Sequence, residues 1–201
     1  MDGVFPDGWP ALLARRFRYG TSAAPLAARH PGQVPPLVLH PWPALTVAGL
    51  LAGSPAVAGL GFAGSVLAMR ATLRRAGLPA RGVLPAMLTA TRQTWLGVGR
   101  YACQYGAPAL AASLVAPGGT RPARRWARRA AAGSLLLGPA LTAWSARRRS
   151  LDPVRYVLGH LAGDVAYGTG VWAGALRARS TAPVRPVIAW HPLRTGPEPG
   201  G

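Results

Sequence analysis

The chain contains no lysine, one cysteine and only five acidic residues: Asp2, Asp7, Asp152, Asp164 and Glu198. Five carboxylates cannot neutralise 23 arginines, so the formal charge of +18 demands an anionic surface outside the chain. The lone Cys103 excludes an internal disulfide and suits a reducing compartment. Residues 1–9 hold two aspartates and no basic stretch, so a secretory signal peptide is not expected. Large side chains are scarce as well. Gly 26 and Pro 21 among 201 residues, with alanine supplying much of the apolar content, leave little volume for a water-soluble core.

What the chain does have is long uncharged runs punctuated by arginine clusters. Pro41 to Met69 is 29 residues without a charge, bounded by Arg29 on one side and Arg70, Arg74, Arg75 and Arg81 on the other. Tyr101 to Thr120 and Ala130 to Ala146 are further uncharged runs. Arg121, Arg124, Arg125, Arg128 and Arg129 separate them, and Arg147, Arg148 and Arg149 close the second. Apolar runs of about 18 or more residues are candidate membrane spans, and arginines at their edges suit anionic headgroups. Nucleic acid is the rival partner. It is disfavoured, because no zinc-finger spacing, aromatic-basic repeat or basic zipper helix is present.

Along the chain, Met1 to Pro10 reads as loop and Ala11 to Arg18 as a short basic helix. Tyr19 to Pro36 is turn-rich, with Thr21-Ser22 a candidate helix N-cap. Pro41-Trp42-Pro43 opens the first apolar segment, which Gly53-Ser54-Pro55 interrupts. Twenty-nine residues are too few for two spans of about 20 each, leaving one tilted span or a shallow re-entrant hairpin. Arginines at both ends favour the hairpin. Val83 to Gly99, with Arg92 inside it, reads as an interfacial helix, and Ala130 to Ala146 as a cleaner apolar one.

Asp152 to Arg179 carries the strongest pattern. Asp152-Pro153 is a helix start, with a capping acid and proline at the first helical position. Val154, Val157, Leu158, Leu161, Val165, Trp172 and Leu176 then form an apolar stripe. Tyr156, His160, Asp164 and Tyr167 make a polar face. Gly159, Gly163, Gly170 and Gly174 make a third strip of two Gly-x-x-x-Gly pairs, which lets a second helix approach closely. From Ser180 the periodicity stops and a loose tail is expected.

Catalytic chemistry is thin. His160 and Asp164 can hydrogen-bond across one helical turn and act as a base, or satisfy each other beside a helix contact. No nucleophile or further metal ligands accompany them in the sequence. His30, His40 and His191 stand beside prolines without ligand spacing. Ser22, Ser54 and Ser113 lack the flanks of a nucleophile elbow, and Gly59-Leu60-Gly61 lies in an apolar run, not at a phosphate-binding turn.

Several segments, in order, resemble mycofactocin-system glycosyltransferases just after their catalytic domain. They are Arg15-Arg16-Phe17-Arg18-Tyr19-Gly20-Thr21-Ser22-Ala23-Ala24-Pro25-Leu26, Arg29-His30-Pro31-Gly32, and His40-Pro41-Trp42-Pro43-Ala44-Leu45-Thr46. Arg100-Tyr101 with Gln104-Tyr105-Gly106-Ala107-Pro108 is similar too. So is Leu151-Asp152-Pro153-Val154-Arg155-Tyr156, running into Ala166-Tyr167-Gly168 and Gly170-Val171-Trp172-Ala173-Gly174.

The resemblance implies a membrane-associated, family 2 type enzyme that moves glucose from a nucleotide sugar to a peptide-derived redox cofactor. It also implies an upstream nucleotide-binding domain with an Asp-x-Asp metal motif. No two acids of this chain form Asp-x-Asp, and a metal-bound diphosphate needs such carboxylates. Donor activation is therefore not expected here, and the chain reads as the C-terminal part of such an enzyme, from a truncated gene or a misplaced start. A divalent metal and a nucleotide sugar belong only to the missing domain.

On that reading Arg15, Arg16, Arg18 and Tyr19 contact the donor diphosphate or the acceptor, or else anchor a basic helix at lipid headgroups. The expected fold is all-α: a small bundle of membrane-embedded and interfacial helices with irregular Pro/Gly-rich connections. Residues 1–40 form a basic juxtamembrane linker, 41–179 the helical membrane region, and 180–201 a disordered tail. The expected location is the cell membrane, with basic segments cytoplasmic. Expected partners are anionic lipid, a catalytic domain in trans, or the redox-cofactor acceptor. A small integral membrane scaffold is the alternative, with cross-linking through Cys103 as its probe.

Overall fold

A computed structural model describes residues 8–116, 122–146 and 152–190. They are mostly helical, and the fold is all-α apart from one two-residue strand pair. Asp2, Asp7, Glu198, Arg121, Arg147 to Arg149 and residues 191–201 lie outside the described residues.

Helix α1 (Gly8–Thr21) extends the expected basic helix at both ends, and α2 (Ala23–Arg29) follows it directly. Ser22 does not cap α2 with its side chain. Its hydroxyl turns back and donates to the Tyr19 carbonyl at 2.7 Å, so the expected turn-rich stretch is partly helical.

Helices α3 (Pro41–Leu51) and α4 (Pro55–Arg75) form an antiparallel hairpin that breaks where Gly53-Ser54-Pro55 interrupts the uncharged run. Gly53 closes α3 at φ +64°. Its N–H donates to the Leu50 carbonyl and that of Ser54 to the Gly49 carbonyl, the two bonds of a Schellman end. Ser54 then caps α4, accepting from the Val57 N–H, and Pro55 takes the first turn. The hairpin closes backbone to backbone: a Cβ at Gly49 would strike Ala58, and one at Gly61 would strike Thr46.

Helix α5 (Val83–Tyr105) is the central element, touching α3, α4, α7 and α8. It runs on through Tyr101, where the sequence suggested a new segment, and breaks only at Gly106 before α6 (Ala107–Val115). Helix α7 (Pro122–Ala146) keeps Pro139 inside it. Proline has no N–H for the Leu135 carbonyl, and Cys103 Sγ donates there from α5 at 3.8 Å. Cys103, only 2% exposed, forms a core cluster with Leu110, Ala132 and Leu135. Burial therefore removes Cys103 as a cross-linking handle.

Helix α8 (Pro153–Arg177) starts as its sequence indicates, with Asp152 Oδ1 accepting from the Arg155 N–H at 2.8 Å. It forms the most extensive helix pair of the fold with α1. Its tail does not drift away at once. Ala182–Val184 make a 3-10 turn, and β2 (Val187–Ile188) pairs in parallel with β1 (Val38–Leu39), because the backbone of residues 37–39 offers unpaired carbonyls.

Among the described residues, one helix, Pro55–Arg75, is long and apolar enough to cross a membrane. Pro41–Leu51 is apolar as well but shorter. Helix α7 carries arginines through its first two turns, and α5 carries Arg92 and Arg100.

Candidate functional site

The candidate site forms where α8 crosses α5 and α1. A Cβ at Gly168 would overlap the Gln104 carbonyl, so glycine lets the α8 backbone rest on α5. One turn earlier on α8, Asp164 is then delivered against Arg100 and Gln104, which stand four residues apart on α5.

Asp164 is 5% exposed and ringed by donors. Gln104 Nε2 donates to its Oδ1 at 2.9 Å, and Arg100 Nε lies 3.8 Å from the same oxygen. His160 Nε2 lies 3.5 Å from Oδ2, joining Asp164 across one turn of α8. The Tyr156 ring stacks on His160 with centroids 6.1 Å apart. A buried carboxylate requires this kind of pairing, since desolvating it alone costs several kcal/mol, on the order of a protein's whole margin of stability.

Tyrosines extend the site. Tyr101 and Tyr105 lie with centroids 4.7 Å apart, and the Tyr101 hydroxyl donates to the Val184 carbonyl at 2.6 Å. Burial pushes the Tyr101 phenol up, and burial together with the neighbouring Tyr167 hydroxyl pushes Tyr105 well above the usual phenol range. Both rings therefore stay neutral at physiological pH. Cys103 behind them is raised to about 11 by burial and the Asp164 charge.

Two cavities share this tyrosine wall. A cleft of about 420 Å³ is lined by Tyr19 of α1, residues 34–37, Arg100, Gln104 and Tyr167. An apolar groove of about 470 Å³ lies on the other side, against Leu110 and Trp172. The Trp172 Nε1 donates to the Tyr105 carbonyl at 3.2 Å.

The polar face read from α8, Tyr156, His160, Asp164 and Tyr167, is thus gathered in one place. The glycine strip meets α1: Gly170 lies on the Phe17 carbonyl, Gly174 on Thr21, and Gly159 under the Trp9 ring. Arg16 lies over Gly163, its Nε 3.7 Å from where a Cβ would sit. These glycines are occupied within the chain, so a scaffold partner would need another surface. Most of the apolar stripe of α8 faces outward, with Val154, Leu158, Val165, Trp172 and Leu176 exposed, while Val157 is half-buried and Leu161 packs against the Cys103 cluster.

The basic cluster divides: Tyr19 lines the cleft, Arg16 lies across Gly163 of α8, and Arg15 and Arg18 are exposed. Arg100, Tyr101, Gln104 and Tyr105 escaped the sequence reading as site residues. Their i, i+4 spacing was visible, but only the crossing of α8 gives it meaning. Among the described residues no three His, Cys, Asp or Glu side chains are grouped to hold a metal ion.

This arrangement defines an all-α region with one buried polar cluster and an adjoining aromatic cleft. No known family profile matches the chain, and no solved structure matches it. It is similar to the pre-mycofactocin glycosyltransferases of two Mycobacterium tuberculosis strains, CDC 1551 / Oshkosh and ATCC 25618 / H37Rv. In each case identity is 30% over 191 residues, covering 88% of this chain and 38% of the relative. The chain spans less than two fifths of the length of these curated relatives, and its relationship to a glycosyltransferase is distant.

Proposed function

We propose that this chain is the C-terminal region of a glycosyltransferase resembling the pre-mycofactocin enzyme, and that it attaches a catalytic domain to the cell membrane. The observation that carries this reading is the α3/α4 hairpin. Leu60 and Leu67 are 68% and 64% exposed, and Leu45, Leu50, Leu51 and Val57 join them outside the fold. No charge interrupts residues 41–69, and Arg70, Arg74 and Arg75 stand at the C-terminal end of α4. Burying one such leucine in lipid contributes about 1.5–3 kcal/mol, and each arginine near anionic lipid about 1 kcal/mol. The hairpin enters one leaflet with its turn leading, and the arginines remain in the cytoplasmic headgroups.

The similarity to a glycosyltransferase supports the catalytic side of the reading. Donor activation, with its metal and nucleotide sugar, falls to a catalytic domain that this region serves in the same polypeptide or in trans. The product would be a glucosylated, peptide-derived redox cofactor. Arg15 and Arg18 then face that domain, with Arg16 beside them at the α8 seam. Replacing all three in the longer enzyme lowers turnover if they contact donor or acceptor. Weaker membrane attachment with unchanged turnover leaves them as headgroup anchors.

Vesicle flotation tests the attachment. The chain should float with phosphatidylglycerol-containing vesicles and resist carbonate extraction. Leu60→Asp with Leu67→Asp should release it without changing its melting in detergent. A wild-type chain that stays unbound, or a variant that floats equally well, sinks the reading. A membrane scaffold is the second reading, favoured only by the exposed apolar face of α8.

A further inference from the structure

Two side chains on one wall of the tyrosine-lined cleft govern what it can hold. Gln104 gives its Nε2 to Asp164, which fixes the amide and leaves Oε1 as an acceptor. Arg100 faces the same carboxylate through Nε, and its exposed side chain keeps the Nη groups as donors. A donor and an acceptor thus stand one helical turn apart, among the rings of Tyr19, Tyr101, Tyr105 and Tyr167.

Charge decides between ligand classes. An anion would meet Gln104 Oε1 and the buried Asp164 carboxylate, which offsets the one guanidinium of the cleft. A wholly apolar ligand would strip water from the amide and the guanidinium without replacing its hydrogen bonds. A neutral ring with hydroxyls at its edge and C–H groups on its faces satisfies both walls.

We propose that this cleft binds a neutral pyranose ring of an oligosaccharide, with Arg100 donating to and Gln104 accepting from adjacent hydroxyls while the tyrosines pack on its faces. The cavity of about 420 Å³ lies within the range of small-ligand sites, about 300–1,000 Å³. The proposal rests on the glycosyltransferase reading only for assigning the ring to the acceptor. There, the cleft holds a sugar already attached and presents the chain end to the next transfer.

Calorimetric titration of the full chain in a sugar-free zwitterionic detergent tests it, with cellotetraose and maltotetraose as probes. Inorganic phosphate and N-acetyltyrosinamide serve as competing probes. At least one tetraose should bind saturably, on the order of millimolar. Gln104→Ala and Tyr19→Ala should each weaken it about tenfold. Tyr19 is 61% exposed, so its variant keeps the wild-type melting temperature and isolates the lost contact. Absence of saturable tetraose binding by a chain that melts cooperatively overturns the proposal. So does binding that both variants leave unchanged, or binding of phosphate or the tyrosine amide in place of sugar. Flotation reads separately: lost flotation with intact sugar binding removes only the membrane reading, and the reverse removes only this one.

Discussion

The hairpin α3/α4 and the pair α1/α8 are built by the same device and expose opposite chemistry. In both, glycines let two helix backbones touch, at Gly49 and Gly61 in one and at Gly20, Gly170 and Gly174 in the other. The hairpin is free of charge up to Arg70 and turns its leucines outward. The α1/α8 pair exposes Arg15 and Arg18, carries Arg16 across its seam at Gly163, and leads to a buried carboxylate held by α5. Close helix packing therefore says nothing about the medium. The side chains left outside the seam decide it.

The largest effect should come from Gly170→Val, whose branched side chain collides with the Phe17 carbonyl and the Gly20 backbone. Overpacking there should cost about 3 kcal/mol, seen as a fall in melting temperature in detergent, while Gly61→Val should disturb mainly the hairpin. Equal losses of global stability from the two would break the distinction. Asp164→Ala comes next. Removing the acceptor of Gln104 and the partner of Arg100 and His160 should cost about 2 kcal/mol by denaturant unfolding, without releasing the chain from vesicles.

The smallest effect is a pH dependence. Cys103 has a folded pKa of about 11 against an ordinary 9.0, so the unfolded chain loses this proton first. Stability is undiminished below pH 9 and falls as pH rises through about 11, by less than about 1 kcal/mol at pH 9.5. Cys103→Ser should flatten that decline in alkaline melting curves, and an unchanged slope would assign it to other groups.

Local chemistry was legible and long-range pairing was not. Asp152-Pro153 announced the start of α8, and the 3.6-residue period separated its polar, glycine and apolar strips before any partner was known. The helix that the glycines receive, α1, lies more than 130 residues away, and nothing local specifies it. The period also could not say which strip faces inward. In a chain poor in bulky residues, glycine gave the closest approach and most of the apolar stripe was left outside, Leu161 excepted. Arg100 and Gln104 read as ordinary helix residues until α8 supplied Asp164. The strand pair Val38–Val187 joins segments with no strand pattern of their own, two residues each.

That same separation gives the two helix pairs different birth times. The hairpin is complete within 35 residues of chain, from Pro41 to Arg75, whereas α1 must await α8. At about 5–20 residues per second of synthesis, the face of α1 that receives α8 stands uncovered for on the order of ten seconds. If the hairpin enters lipid as proposed, it would already be seated there by then. On the proposed membrane reading, a nascent chain tethered at the bilayer would search a surface instead of a volume, so α1 and α8 would meet under confinement, where a freely diffusing chain of such high contact order would fold slowly and expose itself to aggregation.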